Sequence, residues 1–126
     1  MLRARLCVIA LTVSGCGGPP APLMVPVTGR VLNNGQPVTA GAIYLHPDAT
    51  NSYQNDKPSS LLQTDGSFTI KTYPFGDGVP PGKYRVTLAP ELAARMKKPV
   101  YSQVEKTPWI LDVPEAGVRD HVFEVR

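Results

Sequence analysis

Two alternating runs decide the fold of this chain: Ser67-Phe68-Thr69-Ile70-Lys71-Thr72 and Lys83-Tyr84-Arg85-Val86-Thr87-Leu88. In both runs apolar and polar side chains alternate, which is typical of a β-strand that has one buried face. Asp65-Gly66 precedes the first run and predicts a tight turn, and Pro80-Pro81-Gly82 ends the loop before the second run. The two runs therefore predict the centre of an antiparallel β-sandwich.

The rest of the chain indicates that this sandwich is a single all-β domain. The 126 residues include 14 Pro and 11 Gly, a content that disfavours long helices. One short helical turn is expected near 91–96, directly after Pro90. Alternation predicts seven strands, at 25–32, 42–46, 61–64, 67–73, 83–89, 109–113 and a last run that carries Phe123 and Val125. We expect a core that contains Phe68, Ile70, Tyr84, Val86, Trp109, Leu111 and Phe123.

The N-terminal residues have the pattern of a secretory signal. Arg3 and Arg5 precede a short apolar run that is too short to span a bilayer as a helix. Val13-Ser14-Gly15-Cys16 then resembles the lipobox of bacterial lipoproteins, in which the Cys receives diacylglycerol on its sulfur before cleavage in front of it. A conventional signal followed by an ordinary thiol is the alternative. We expect a lipoprotein signal peptide at 1–15, the lipidated Cys16 and a Gly/Pro tether at 16–24, and the β-sandwich domain at 25–126.

The cysteine content agrees with the predicted lipoprotein signal, and we expect an extracytoplasmic domain in the cell envelope, anchored by lipid on the periplasmic or outer-membrane face. Cys7 and Cys16 both lie within or beside the signal, so the mature domain has no cysteine pair for a disulfide and must depend on its core. The chain has 13 basic and 10 acidic residues, and Arg3 and Arg5 belong to the signal. The mature domain is therefore nearly neutral, and we expect no nucleic-acid partner, which would need clustered Lys and Arg.

A series of short motifs gives the chain a resemblance to the carboxypeptidase regulatory-like domain. The motifs are Val27-Thr28-Gly29-Arg30-Val31, Gly35-Gln36-Pro37-Val38, Gly41-Ala42, Thr64-Asp65-Gly66-Ser67-Phe68 and Pro80-Pro81-Gly82-Lys83-Tyr84-Arg85-Val86-Thr87. The resemblance covers most of 25–126, and small lipoproteins built from one such domain look similar. It implies a transthyretin-like (prealbumin-like) Greek-key sandwich that serves as an accessory binding or structural module and not as a catalyst.

Residues that could carry catalysis are few. His46 and His121 are the only histidines, whereas a zinc or copper site needs three or four ligands, and we expect the two not to meet. Sequence order permits a triad of Ser102, His121 and Asp120, but no nucleophile elbow accompanies it. The transthyretin-like hydroxyisourate hydrolases carry a C-terminal Tyr-Arg-Gly-Ser, where this chain has Phe123-Glu124-Val125-Arg126. The prediction is a non-catalytic module without a metal or cofactor, and such a hydrolase is the weaker alternative.

Two loops and a group of aromatic residues are the candidate binding features. The polar loop 48–60, expected to be exposed, and the Gly/Pro-rich loop 74–81 are the longest, and the loops of a sandwich cluster at its ends. The aromatic residues that could face a ligand are Tyr44, Tyr53, Tyr73, Phe75 and Tyr101. If they share one surface, the domain could bind carbohydrate or a cell-wall polymer. Besides the membrane, the expected partner is thus an envelope protein or a polysaccharide.

Overall fold

The computed structural model describes residues 22–126, in which ten short strands form two sheets and an α-helix and a 3-10 helix lie between the eighth and ninth strands. The elements are β1 Val27–Asn33, β2 Gln36–Pro37, β3 Ala42–Pro47, β4 Ser59–Leu61, β5 Ser67–Thr69, β6 Lys71–Thr72, β7 Gly76–Asp77, β8 Gly82–Leu88, α1 Pro90–Arg95, the 3-10 helix Pro99–Ser102, β9 Ile110–Val113 and β10 Val118–Val125. The predicted signal, Cys16 and most of the predicted tether lie outside the described residues.

The smaller sheet is built around β1. This strand pairs in parallel with β10 and antiparallel with β2 and β5. Asn34 and Gly35 join β1 to β2, and their φ angles of 54° and 78° fit the tight turn that the Asn-Gly pair predicts. Gly29 allows β10 to approach, because a Cβ at this position would lie 2.0 Å from the carbonyl oxygen of His121 and 2.7 Å from the Phe68 ring.

The larger sheet has the order β7-β6-β4-β3-β8-β9, and its neighbouring strands are antiparallel. Its central strands alternate as the sequence predicts, with Ile43 and Leu45 of β3 and Tyr84 and Val86 of β8 fully buried. The Tyr84 hydroxyl reaches through this core and donates a hydrogen bond of 2.6 Å to the Pro80 carbonyl oxygen. The inner face of the larger sheet is therefore apolar, with its polar atoms paired.

The two sheets share one core, which confirms the prediction of an all-β domain. The seven predicted core residues are all buried, at 0–8% exposure. Trp109 connects three parts of the chain, because its ring centroid lies 4.9 Å from that of Phe123 in β10 and 4.6 Å from that of Tyr101 in the 3-10 helix. The predicted helical turn near 91–96 is also confirmed as α1, whereas the 3-10 helix that begins at Pro99 was not predicted.

The prediction of seven strands is wrong in four places. The run 67–73 contains two strands, because Ile70 carries the chain from the smaller sheet, where Thr69 pairs with Thr28, to the larger sheet, where Lys71 pairs with Ser59. The strand expected at 61–64 ends at Leu61, since the turn around Asp65-Gly66 takes up the following residues. The strands β2 and β7 were not predicted, because two residues are too few to show alternation.

The loop expected at 48–60 ends at residue 58, where β4 begins, and it is anchored rather than exposed as predicted. Asn51 is 5% exposed, and its side chain donates to the Lys83 carbonyl oxygen at 3.0 Å and accepts from the Tyr53 N–H at 2.9 Å. Gly82 makes room for this anchor, because its φ is +145° and a Cβ there would lie 2.6 Å from the Asn51 amide. The loop is thus fixed to the start of β8 by a buried polar side chain.

The loop 74–81 is also only partly a loop. It contains β7, and its last part returns to the core, where Val79 is fully buried and forms a β-bridge with Val25. Its exposed part is therefore short and lies next to β6, at one edge of the larger sheet.

Candidate functional site

A row of five side chains crosses the outer face of the larger sheet. The register pairs Thr87 with Tyr44, Tyr44 with Ser59, Ser59 with Lys71 and Lys71 with Asp77. Directly paired residues of antiparallel strands lie on the same face, and Tyr44 lies on the face opposite Ile43 and Leu45 of the core. The row therefore runs from β8 to β7 on the side of the sheet that faces away from the smaller sheet.

The two ends of this row have different surroundings. We call the outer face around Thr87, on β3 and β8, the covered half. Thr87 is only 2% exposed, Ser102 of the 3-10 helix lines the same small pocket, and Arg85 donates to the Val104 carbonyl oxygen at 3.4 Å. We call the outer face of β4, β6 and β7 the open half, where Lys71 and Asp77 have side chains that are 51% and 74% exposed.

The open half forms a groove of about 760 Å³. Its lining residues are Ala42, Tyr44, Ser59, Ser60, Leu61, Gln63, Thr69, Lys71, Tyr73 and Asp77. Leu61 and Tyr73 are 76% and 71% exposed, the highest values among the large apolar side chains of residues 22–126. Exposed apolar side chains grouped in a groove of this size, within the range of about 300–1,000 Å³ that small-molecule sites occupy, are a feature of binding sites.

The polar atoms of the groove are those of neutral groups and one ion pair. Lys71 Nζ lies 3.6 Å from Asp77 Oδ1, so the charges of the lining cancel. Ser60 Oγ donates to the Leu61 carbonyl oxygen at 2.8 Å and accepts from the Thr69 N–H at 3.3 Å. Within the described chain, neither the Tyr73 hydroxyl nor the side-chain amide of Gln63 has a hydrogen-bond partner. Both groups are therefore available to a ligand.

Two of the five predicted aromatic residues come together in the groove. Tyr44 and Tyr73 line it, while Tyr53 and Phe75 are partly buried elsewhere. Tyr53 belongs to the anchored loop, where its burial and the hydrogen bond of its hydroxyl to Asp56 raise the pKa of Tyr53 to about 12. The expectation for Tyr101 is wrong, because this side chain is 3% exposed and packs on Trp109 in the core.

Tyr44 stands on the boundary between the two halves. The Lys57 ammonium lies over its ring, 5.2 Å from the centroid, in a cation–π arrangement. On the covered side His46 Nε2 is 2.8 Å from Thr87 Oγ1, and burial together with the positive charge of Lys57 lowers the pKa of His46. Tyr44 is thus supported from the covered half while it lines the groove of the open half.

The residues considered for a catalytic triad belong to different surroundings. His121 lies on β10, where its ring packs edge-on against Phe123 with centroids 4.5 Å apart, and burial lowers the pKa of His121. Ser102 lies in the pocket beside His46, and its hydroxyl donates to the Pro99 carbonyl oxygen at 2.8 Å. In the part of the chain that the structure describes, no group of three or more His, Cys, Asp or Glu side chains could hold a metal ion.

Comparison of this chain with protein-family models, with curated proteins and with solved structures finds no match in any of the three. The described residues also contain no helix that is long and apolar enough to cross a membrane. The groove is therefore the feature from which a function can be inferred.

Several residues of the groove were not singled out from the sequence. Ser59, Lys71 and Asp77 come from three strands, and their meeting depends on the short pairings of β6 with β4 and β7. One signal was present in the sequence: in the run 67–73 Phe68 and Ile70 belong to the predicted core, and alternation places Lys71 and Tyr73 on the opposite face. Which residues of other strands would join them could not be derived without the strand order.

Proposed function

We propose that this chain is a membrane-anchored, extracytoplasmic lipoprotein whose β-domain is a non-catalytic binding module. The observation that carries the binding function is the open half of the larger sheet, where Leu61 and Tyr73 remain largely exposed beside a groove of about 760 Å³. Leaving such side chains in water forgoes the free energy of burying them, so a partner that covers them gains it.

The lipid anchor is supported by the order Val13-Ser14-Gly15-Cys16 behind a short apolar run. The position of the groove agrees with such an anchor. Thr69 and Asp77 line both the groove and a smaller cleft formed with Met24, near the first described residue. Residues 17–24 can reach at most about 30 Å when fully extended. A lipid on Cys16 would therefore keep the groove near the membrane surface.

We also infer that the sandwich has the Greek-key connectivity of the transthyretin-like type. The order β6-β4-β3-β8 supports this topology, because β8 returns to lie beside β3, the first of these strands, as the fourth strand of a Greek key does. The parallel pair of β1 and β10 is a second contact between strands far apart in the sequence. Strands that are distant in sequence are thus neighbours in both sheets, as in Greek keys. Three of the motifs that resemble the carboxypeptidase regulatory-like domain lie in β1, at the start of β5 and in β8.

The non-catalytic character is supported by the chemistry of the groove. Its described lining holds no His or Cys, and its charged side chains, Lys71 and Asp77, are exposed and paired with each other. A general base or nucleophile at neutral pH instead needs burial or a specific partner that shifts its pKa toward the working range. The residues present suit contact with a ligand better than proton transfer.

Mass spectrometry of the protein purified from membranes tests the anchor. We expect an N-terminal Cys16 that carries diacylglycerol on its sulfur, and we expect Cys16→Ser to abolish this mass and release or stall the protein. An unmodified chain that begins at another residue would contradict the lipoprotein assignment.

An activity assay tests the non-catalytic assignment against the hydrolase alternative. The purified protein is incubated with 5-hydroxyisourate and with simple esters, beside a His121→Ala variant. We expect no turnover above the uncatalysed rate for either protein. Turnover that His121→Ala removes would show that the domain is an enzyme.

A further inference from the structure

We propose that the groove of the open half binds a neutral oligosaccharide chain, with the Tyr73 ring as its stacking platform. This inference rests on the proposed binding function and names the class of ligand. A sugar ring presents C–H groups on its faces and hydroxyl groups around its rim. It therefore needs a site that offers apolar surface and neutral polar groups side by side.

The charges of the groove favour a neutral ligand. Lys71 and Asp77 lie 3.6 Å apart and compensate each other, so the lining has no net charge. Lys57 lies against the Tyr44 ring from the adjacent pocket. Binding of an anionic polymer usually depends on several unpaired Lys or Arg side chains, which displace the counterions of the polymer. The lining of the groove does not offer that arrangement.

The side chains of the groove provide both surfaces that a saccharide requires. Leu61 and Tyr73 supply exposed apolar area, and tyrosine is the residue type that combines a flat apolar ring with a polar hydroxyl. Ser59, Gln63 and Thr69 add hydroxyl and amide groups that can donate or accept. Such neutral side chains can form hydrogen bonds with sugar hydroxyl groups, which both donate and accept.

The backbone around the groove argues against an extended peptide as the ligand. An added peptide strand gains its affinity from unpaired main-chain groups at the edge of a sheet. At Ser59 the groove lies instead on a face, because this residue of β4 is paired on both sides, with Tyr44 of β3 and with Lys71 of β6. At this position the main-chain hydrogen bonds lie within the sheet, so a ligand meets side chains.

Isothermal titration calorimetry of the full lipidated protein in detergent micelles tests the inference. The probes are three neutral hexasaccharides, maltohexaose, laminarihexaose and N-acetylchitohexaose, and polygalacturonate serves as the anionic comparison. The proteins are the wild type, Tyr73→Ala, Tyr73→Phe, Leu61→Ala and the matched control Val122→Ala. Val122 is 51% exposed on β10 of the smaller sheet, so its truncation removes exposed apolar area away from the groove.

We expect at least one neutral hexasaccharide to bind. Tyr73→Ala should weaken this binding by about tenfold or more, as loss of an aromatic contact does, while Val122→Ala changes it by less than about twofold. Tyr73→Phe should keep most of the affinity, because it keeps the ring. If Tyr73→Ala does not fold, Leu61→Ala should still weaken binding, because it removes the other exposed apolar side chain of the groove.

Three results would overturn the inference: no binding of any neutral hexasaccharide, binding that Tyr73→Ala and Leu61→Ala leave unchanged, or preferential binding of polygalacturonate. Cross-linking in cell envelopes then separates this failure from that of the proposed function. If Tyr73→Ala removes a cross-linked envelope protein, the ligand is a protein and the binding module stands. If no Tyr73-dependent partner of either class is found, the binding module is wrong as well.

Discussion

The covered and open halves of the larger sheet are parts of one face, but they satisfy their polar groups in different ways. On the covered half His46 pairs with Thr87, and Arg85 lies 3.5 Å from Asp48 and bonds the Val104 carbonyl oxygen. On the open half large side chains stay exposed, and the available polar groups include those of Tyr73. The comparison teaches that one part of a sheet face can be closed by its own chain while large apolar side chains of the other part stay exposed.

The covered half is covered because the segment that follows β8 packs over it. The segment from Pro90 to Thr107 turns back as α1 and the 3-10 helix, and Tyr101 fixes it to the core. The Tyr101 hydroxyl also accepts from the Arg126 N–H at 2.9 Å, which ties the segment to the end of β10. No comparable segment follows β4, β6 or β7, because tight connections join these strands to the next ones.

Trp109→Ala should have the largest effect on stability, because it removes a side chain that holds the covering segment 90–107 to the core. Trp109 is 8% exposed and packs on Tyr101 and Phe123, so its truncation leaves a cavity under the covering segment. We expect a loss of about 3–5 kcal/mol in the free energy of unfolding, measured by urea denaturation. Leu61→Ala is the matched control on the open half, where a change within about 0.5 kcal/mol is expected. Equal effects of the two variants would contradict the distinction.

Asn51→Ala should have the next largest effect, at the loop 48–58, which leads into Ser59 of the groove. The substitution removes a buried amide that bonds the Lys83 carbonyl oxygen and the Tyr53 N–H, and it leaves both without this partner. We expect a loss of about 1–3 kcal/mol in the free energy of unfolding. Relative to the wild type, amide hydrogen exchange should become faster in 48–58, and by more than in the β-strands. Unchanged exchange in this loop would show that Asn51 is not its anchor.

The pH dependence of stability should show a smaller effect, which comes from His46 on the covered half. Folding lowers the pKa of His46 below its ordinary value of about 6.5, so the unfolded chain binds more protons as the pH falls through that value. The stability contributed by neutral His46 is therefore present above about pH 6.5 and is lost toward lower pH. We expect the Tm of the wild type to fall relative to that of His46→Gln between pH 8 and pH 5.

The histidine in the other sheet and the carboxylates do not obscure this measurement. His121, whose pKa is also lowered, is present in both proteins, so its contribution cancels in the difference. Hydrogen bonds from Thr50 and Ser67 lower the pKa values of Asp48 and Asp65. The stability that these carboxylates contribute to the fold is therefore lost only below about pH 4. A Tm difference that stays constant from pH 8 to pH 5 would contradict the role given to His46.

The smallest effect on stability is expected for the ion pair of the groove. Lys71 and Asp77 are more than half exposed, and exposed pairs contribute only about 0–1 kcal/mol. Lys71→Met and Asp77→Asn should each change the free energy of unfolding by less than about 1 kcal/mol, with a smaller change at high salt. A larger loss in either variant would mean that the pair contributes to the stability of the fold.

The sequence predicted most of the core and less of the groove, for a physical reason. Alternation along one strand shows which side chains are buried, and so Phe68, Tyr84 and Trp109 were identified correctly. The groove depends on which strands are neighbours and in what register. The strand neighbours and their register in turn depend on the passage of the chain between the sheets at Ile70 and on the two-residue strand β7. Tyr101 was misjudged because its burial comes from the 3-10 helix, which has no alternation to reveal it.

Photo-crosslinking in intact cells tests most directly the claim that the open half is the binding face. A photoreactive benzophenone amino acid is placed at Leu61 in one variant and at Val122 in another, two exposed apolar positions on different sheets. We predict a cross-linked adduct, with a saccharide or a protein, from position 61 and none from position 122. An adduct from position 122 alone, or none from position 61, would contradict the account.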